Sequence, residues 1–526
     1  MKITFDTPDL FLKKIWARIP ATVRITFFSA IVIGLMAHLY QFTNKLYNYD
    51  ELQVLPAGYG TGAESGRWFL SIMGDWAAVQ FGNYSIPLLN GMISLLLLAI
   101  SAAFMTDMFG MQSKFFAAAL GGFMVAFPAV VCSFYFMYTV VFYYIALFLS
   151  VLAAWLIVKL PRNILAHGAA VLLIACAVGT YQAYFSNTVC LLLMAVIMLC
   201  TSKERGWKEI LLVALRYLAV LAGGLVLYFV LNKALLAHWG LALNGYQGID
   251  TMGQITLQQL LTAVVTCYKE FVKLCFAHVS YLNPTSYVKK CFALILLIYA
   301  VGAIGKLFGE KGCPVKKIFM ALGFSLLPLG SFLVYVMVPN GWVYTLMAYS
   351  VVFVPVFMLV WADRFSAAFD KKAFLQKGIQ WAAALVSAVM IGMYIWYANG
   401  CYLSLEYTKY HDMAYYETMV TQIKSVEGYR DDMPVAIIGN TITDDTHTLG
   451  SMLGGTFGMD GKLESNISTY AKAGIMAKLL GFAPYFSGYE EIVELMDTKE
   501  VQAMPFYPDD GSIRVVDGTV VVRLSE

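Results

Sequence analysis

Long apolar runs dominate the pattern of hydrophobic and polar positions along the chain. A transmembrane helix needs about 20 mostly apolar residues, and the runs that meet or approach that length predict an α-helical polytopic membrane protein with about 11 transmembrane helices. The predicted spans are 25–44, 87–109, 115–136, 138–159, 168–186, 188–201, 210–232, 291–308, 318–338, 347–365 and 379–402.

The segments outside these spans have mixed polarity. Residues 1–24 alternate basic and apolar positions, which predicts an amphipathic helix on the cytoplasmic surface. Residues 25–403 are expected to form a transmembrane domain with two long outer loops, 45–86 and 233–290. Each of these loops contains an amphipathic stretch that predicts a helix lying on the membrane surface.

The C-terminal residues 404–526 have the composition of a soluble protein and predict a small α/β domain. Residues 443–461 are rich in Gly, Thr and Asp, which favours a loop. The Asp517-Gly518 pair predicts the turn of a β-hairpin. The other predicted elements are helices near 405–426, 466–481 and 488–497 and a buried strand at 434–439.

Basic residues predict the orientation of the chain, because cytoplasmic loops carry an excess of Lys and Arg. The segments around 137, 187 and 340–346 carry none. We therefore expect a multi-pass cell-membrane protein with a cytoplasmic N-terminus, and with both long loops and the C-terminal domain extracytoplasmic. The residues of the basic loops are Lys114, Lys159, Arg162, Lys203, Arg205, Lys208, Lys311, Lys316, Lys317, Arg364, Lys371, Lys372 and Lys377.

Composition narrows the classes of function. Only 13% of the residues are charged, against roughly 25% in soluble proteins, and the net charge of +3 gives no sign of nucleic-acid binding. The nine cysteines are scattered, so the sequence names no metal ligands. Charged residues avoid the centres of the predicted spans, which argues against a proton-coupled transporter and favours chemistry at one membrane surface.

The loop after the first span carries two adjacent carboxylates, Asp50 and Glu51. A carboxylate can remove a proton from a hydroxyl nucleophile as the new bond forms. The pair is therefore a candidate general base or cation ligand, and a solvated acidic pair is the alternative. Because neighbouring side chains need not point the same way, one acid could act as the base while the other orients it.

Further along this loop, the T-x-x-E pattern from Thr61 to Glu64 predicts a capping box that starts a helix. Arg67 would then lie in the first helical turn, where free backbone N–H groups and the guanidinium both favour an anion such as phosphate. An ion pair with Glu64 or Asp75 is the alternative for Arg67. The helix itself has an apolar stripe that includes Trp68 and Trp76.

Three more polar residues are candidates for substrate contacts. Tyr181 and Gln182 lie near the outer end of a predicted span, where they could line a polar cavity or make hydrogen bonds between helices. Lys269 lies on the polar face of the amphipathic stretch in loop 233–290. It could hold a lipid phosphate or belong to a solvated face.

Together these segments resemble a known family. The sequence Y-N-Y-D-E follows the first span, E-S-G-R-W-F follows a Gly-rich segment, and G-T-Y-Q-A-Y-F-S lies within a span; the tail contains P-V-A-I-I-G-N and M-P-F-Y-P-D-D-G. In this order they resemble the polytopic glucosyltransferases that modify bacterial surface polysaccharides, of the O-antigen serotype-converting type.

The resemblance implies a glycosyltransferase of the GT-C architecture that takes a hexose, glucose by analogy, from a polyprenyl-phosphate donor. In such enzymes an acidic residue of the first outer loop carries catalysis, and Asp50 and Glu51 match that position. Many relatives have two aspartates there, so the identity of the base stays open. Arg67 matches the arginine of the family's Gly-Arg pair, and Glu64 is a further candidate for substrate binding.

The implied partners are the lipid-linked donor, a surface-polysaccharide acceptor and membrane lipid, together with a donor-lipid synthase and a flippase. No cofactor is certain, and a divalent cation, Mg²⁺ or Mn²⁺, is an open alternative. A transporter or flippase of lipid-linked sugars is the competing function, although the sequence shows no inverted repeat of the kind that many transporters carry.

Overall fold

The computed structural model describes residues 7–54, 59–82, 85–245, 256–277, 282, 284–309, 313–338, 341, 343–365, 373–440 and 471–525. Within these ranges the fold is mostly helical. The helices as far as the middle of the chain are α1 (Pro8–Arg18), α2 (Ala21–Thr43), α3 (Tyr49–Val54), α4 (Trp68–Phe81), α5 (Pro87–Phe109), α6 (Lys114–Ala126), α7 (Pro128–Tyr135), α8 (Val140–Lys159), α9 (Ile164–Thr180), α10 (Phe185–Cys200) and α11 (Trp207–Trp239).

The remaining helices carry the chain to the C-terminal sheet and flank it. They are α12 (Leu257–Phe276), α13 (Ser286–Gly309), α14 (Pro314–Ser331), α15 (Val334–Met337), α16 (Phe353–Phe365), α17 (Ala373–Ser425), α18 (Lys472–Leu480), α19 (Tyr489–Met496) and α20 (Lys499–Gln502). Short 3₁₀ helices occur at Ala63–Ser65, Gln182–Tyr184 and Thr345–Val352.

Nine helices in the described part of the chain are long and apolar enough to cross a membrane. They confirm the predicted helical polytopic fold. Two predicted spans correspond to shorter or less apolar helices, α9 and α14. The nine are Ala21–Thr43, Pro87–Phe109, Lys114–Tyr135, Val140–Lys159, Gln182–Cys200, Trp207–Trp239, Ser286–Gly305, Thr345–Asp363 and Lys377–Ser425.

The boundaries of several elements differ from those predicted. The span predicted at 168–186 ends at Thr180, because Tyr181 is extended (φ −155°, ψ 111°) and the next helical segment begins at Gln182. The span predicted at 115–136 is broken after Ala126, since the residue before Pro128 is disfavoured in helical conformation. The helices predicted at 379–402 and near 405–426 are one continuous helix, α17.

Hydrogen bonds between buried polar groups link the helices in the core of the bundle, where α2 packs against α5, α6 and α17. The Thr26 and Thr106 hydroxyls lie 2.8 Å apart. His38, which falls at the centre of a span, donates from Nε2 to the Val125 carbonyl at 2.7 Å and accepts at Nδ1 from the Tyr402 hydroxyl at 2.8 Å. These bonds offset the cost of burying polar groups among apolar helices.

Asp107, Lys159 and Asp363 lie at one end of the bundle. Asp107 and Lys159 form an ion pair at 3.0 Å. The Asp363 carboxylate accepts hydrogen bonds from the backbone N–H groups of Gln112 and Ser113 at 2.9 and 2.8 Å, at the start of α6. Residues 44–54, 59–82 and 85–86 and the helix break at Tyr181 belong to the opposite end, where the candidate site residues are found.

A three-stranded sheet follows α17, with strands β1 (Val435–Ile438), β2 (Ile513–Val516) and β3 (Thr519–Arg523). Its strand order is β1-β3-β2, with β1 parallel and β2 antiparallel to β3. The predicted buried strand and hairpin are confirmed, and Asp517 and Gly518 have the positive φ angles (47° and 76°) that a tight hairpin turn requires. The loop predicted at 443–461 and the start of the helix predicted at 466–481 lie outside the described residues.

Candidate active site

The six-residue helix α3 carries both predicted acids. Its first turn is capped by Asn48, whose side-chain oxygen accepts a hydrogen bond from the Asp50 N–H at 2.6 Å. Consecutive residues of an α-helix, at 3.6 residues per turn, point about 100° apart. Asp50 and Glu51 therefore enter different surroundings, although they are neighbours in sequence.

Asp50 faces a narrow polar cleft of about 50 Å³. Arg67 lies on the same cleft, so the structure brings the candidate base and the candidate phosphate ligand together. Ligand pockets typically measure about 300–1,000 Å³, so this cleft is smaller than a typical ligand pocket. The lining residues are Asp50, Tyr59, Gly60, Thr61, Arg67, Phe136, Tyr138, Tyr143, Tyr181, Tyr344, Leu346 and Met347.

Arg67 is only 8% exposed. Its guanidinium lies 4.8 Å from the centre of the Tyr181 ring, and Nη1 donates to the Thr61 hydroxyl at 3.4 Å. Its Nε has no hydrogen-bond partner, and no ion pair within the described ranges joins Arg67 to Glu64 or Asp75. A buried cation is costly unless a negative charge lies close to it, and Arg67 makes no ion pair among the described residues, so this site suits an anionic ligand.

The turn before Arg67 explains its position. Ser65 ends a 3₁₀ helix, and Gly66 adopts the left-handed conformation (φ 70°), which reverses the chain direction at little cost because glycine lacks a Cβ. The Gln182 side chain donates from Nε2 to the Ser65 carbonyl at 2.7 Å, and the Tyr228 hydroxyl donates to the Gly66 carbonyl at 3.1 Å. Two residues distant in sequence thus hold the turn that directs Arg67 into the cleft.

The predicted capping box is wrong. Helix α4 begins at Trp68 with Arg67 as its N-cap residue, and no side chain caps it. The cause is the turn at Gly66, which separates Thr61 and Glu64 from the helix. Glu64 is exposed and does not line the cleft; its backbone carbonyl accepts from the Asn244 N–H at 2.9 Å.

Glu51 lies away from the cleft and is only 2% exposed. Burial raises the pKa of its carboxyl group, and the nearby Lys45 and Lys478 ammonium groups oppose that shift only in part. Its Oε1 has no hydrogen-bond partner. The protonated form is therefore favoured more than in water, as is usual for a buried acid.

Of the three other predicted substrate-binding residues, only Tyr181 lines the cleft. Tyr181 lines the cleft and packs its ring 4.8 Å from that of Tyr143. Gln182 does not line it and instead makes the hydrogen bond between elements that was the alternative prediction. Lys269 is exposed on α12 and is not among the residues of the cleft.

Sequence reasoning missed most of the tyrosines of the cleft. Tyr138 lies in the turn between α7 and α8, Tyr344 precedes a 3₁₀ helix, and Tyr59 belongs to the first loop. Their only common signal is an aromatic residue beside a helix end, which interface anchors also show. No group of three or more His, Cys, Asp or Glu side chains in the described ranges could hold a metal ion. A divalent cation stays an expectation.

Comparison with known families identifies the protein class. The family described as glucosyl transferase GtrII matches residues 39–355, more than half of the chain. The chain belongs to the GtrII glucosyltransferase family. No significant match was found among curated proteins or solved structures. The matched range contains Asp50, Arg67 and Tyr181, so this GtrII-family protein has its cleft within the part that defines the family.

The arrangement in this GtrII-family protein can perform acid–base chemistry next to a bound anion. Asp50 supplies a carboxylate, Arg67 supplies a fixed positive charge, and the surrounding tyrosines supply hydroxyl groups and ring faces. A glucosyltransferase needs such groups, since an acceptor hydroxyl loses a proton while the leaving group gains negative charge.

Proposed function

We propose that this GtrII-family protein is a GT-C-type glycosyltransferase that moves glucose from a polyprenyl-phosphate donor to a cell-surface polysaccharide on the extracytoplasmic side of the membrane. The observation that carries the proposal is the shared cleft of Asp50 and Arg67. One group can accept a proton and the other can hold a phosphate, as transfer from a phosphate-linked sugar requires.

The reaction is a displacement at the anomeric carbon. The Asp50 carboxylate accepts the proton of an acceptor hydroxyl as the hydroxyl oxygen forms a bond to that carbon. The bond between the carbon and the phosphate oxygen breaks, and the lipid phosphate leaves with its electron pair. Arg67 stabilises the leaving phosphate, because a preformed positive charge is most effective where negative charge develops in the transition state.

The choice of a lipid-linked donor rests on the expected orientation. The basic loops predict that the opposite end of the bundle is cytoplasmic, which places the cleft where nucleotide sugars are not supplied. The sugar must then arrive on a lipid carrier.

Two helices could receive such a carrier at the membrane surface. Trp76 and Val79 of α4 are 60% and 81% exposed, and Leu257 and Leu261 of α12 are 72% and 58% exposed. The apolar stripe predicted for α4 is divided in the structure, because Trp68 is buried together with Ser71 while Trp76 is exposed. Exposed apolar side chains on amphipathic helices are typical of contact with lipid at the membrane interface.

The test is a transfer assay with purified protein, radiolabelled polyprenyl-phosphate glucose and, in parallel, a nucleotide-linked glucose. We expect incorporation into acceptor polysaccharide from the lipid donor only. Equal or greater transfer from the nucleotide donor would overturn the proposal. Movement of the lipid across vesicles without transfer would support the flippase alternative instead.

The phosphate role of Arg67 is tested in the same assay. Arg67→Ala should lower kcat, since the leaving phosphate loses a fixed charge in the transition state. It should also raise the KM for the lipid donor, since the bound phosphate loses the same charge. Arg430→Ala removes an arginine that is paired with Asp432 at 3.1 Å outside the cleft, and it serves as the control. An unchanged donor KM and kcat in Arg67→Ala would reject the phosphate role.

A further inference from the structure

Helix α18, beyond the range that the family match covers, packs directly on α3, the helix that carries Asp50. Gly474 makes the close approach possible. A Cβ atom at this position would lie 2.6 Å from the Leu52 carbonyl oxygen, nearer than side-chain carbons approach backbone atoms in folded proteins. Any larger residue at position 474 must push the two helices apart.

A hydrogen bond joins the same two helices. Helix α3 has only six residues, and the last four carbonyl groups of a helix lack partners within it. Leu52 supplies one of these carbonyls, and the Lys478 ammonium group donates to it. A cation at a helix C-terminus also interacts favourably with the helix dipole. Lys478 is thus a cap for α3 that comes from a distant part of the chain.

The segment before α3 is held by α17. Lys409 donates to the Lys45 carbonyl at 3.2 Å, and its ammonium group lies 5.2 Å from the centre of the Tyr47 ring. Lys45 lies over the same ring at 5.7 Å and donates to the Ser85 carbonyl at 3.2 Å. Both ends of the segment that bears Asp50 are therefore fixed, and residues from the C-terminal third supply contacts at each end.

We infer that α18 is a positioning element for the reaction, with Gly474 and Lys478 holding α3 at the angle that keeps Asp50 in the cleft. The inference rests on the proposed role of Asp50 as the base. Neither residue touches the cleft, so each acts through α3. A displacement of about 1 Å at a reacting group can lower a rate about 100-fold. A small shift of α3 at its contact with α18 is therefore enough to change the rate of transfer.

The test compares Gly474→Ala with Gly488→Ala. Position 488 lies in the same C-terminal part of the chain, and a Cβ atom added there would meet no other atom within 4 Å, so its substitution is a matched control. We expect Gly474→Ala to lower kcat by about 10- to 100-fold, with a donor KM within about twofold of wild type. The control should keep both constants.

Substitutions of Lys478 test the inference independently, because they add no atom that would force α3 and α18 apart. Lys478→Met should lower kcat and Lys478→Arg should restore most of it, because arginine can still donate to the Leu52 carbonyl. Lys472→Met is the control, since Lys472 lies on the same helix but donates to the Gly439 carbonyl at 3.0 Å.

Hydrogen–deuterium exchange of residues 49–54 provides a readout that does not depend on catalysis. Exchange should be faster in Gly474→Ala and Lys478→Met than in the two controls. Wild-type kcat in both variants, or unchanged exchange in both, would overturn the positioning role. A wild-type protein that transfers no glucose, with exchange changed as expected, would instead count against the proposed function.

Discussion

Two neighbouring residues of α3 have opposite surroundings. Asp50 borders a cleft that also contains a buried arginine and several tyrosines, whereas Glu51 is buried on the side where α18 and Lys45 approach. Paired acids in a sequence suggest a shared site, but successive side chains of a helix point in different directions. Of the two acids, only Asp50 lines the cleft, whereas Glu51 is buried beside the neighbouring elements.

The largest expected effect separates the two acids directly. Asp50→Asn should lower glucosyl transfer by about 10²–10⁴-fold, the usual contribution of a general base, while the melting temperature stays close to wild type. Glu51→Gln should lower transfer by far less, because its side chain does not line the cleft. Steady-state kinetics of both variants measures the two rates of transfer. An equal loss of activity in both would contradict the different roles of Asp50 and Glu51.

A smaller effect concerns the turn that directs Arg67. Tyr228→Phe removes the hydroxyl that bonds the Gly66 carbonyl and should cost about 0.5–1.5 kcal/mol of stability, together with a several-fold rise in donor KM. Tyr217→Phe, also a buried tyrosine of α11, is the control. Should Tyr217→Phe raise the donor KM as much, the hydroxyl of Tyr228 has no special role.

The smallest effect is on the pH dependence of stability. Because the pKa of Glu51 is raised above its ordinary value of 4.5, the folded state binds more protons than the unfolded state over the range between the two pKa values, and stability falls as pH rises through that range. Glu51→Gln removes this loss. Its melting temperature relative to wild type should therefore increase with pH above 4.5 and level off at lower pH. A difference independent of pH would contradict the burial of an ionisable Glu51.

Hydropathy predicted most of the fold, since a span must be apolar along its whole length. It could not locate the break at Tyr181, because the sequence around this residue reads as continuous helix. The contacts of Tyr181 with Arg67 and Tyr143 join residues that are distant in sequence, so no local pattern shows them. The Asp517-Gly518 turn was predictable because its conformation is local.

The site was predictable only in part. Asp50 and Arg67 stood out as charged residues in one loop, and the structure places them on one cleft. The supporting roles of Tyr228 and Lys478 depend on residues that are distant in sequence, and no local pattern identifies them. The T-x-x-E pattern was misleading for a local reason: Gly66 turns the chain before the helix begins.

An experimental structure with a non-transferable polyprenyl-phosphonate glucose bound would show whether the donor lies between Arg67 and Asp50. We expect phosphonate oxygens within about 4 Å of the Arg67 guanidinium, the usual ion-pair limit, and the anomeric carbon facing the Asp50 carboxylate. A phosphonate bound beside Lys269 or Glu51, with Arg67 and Asp50 untouched, would contradict that placement.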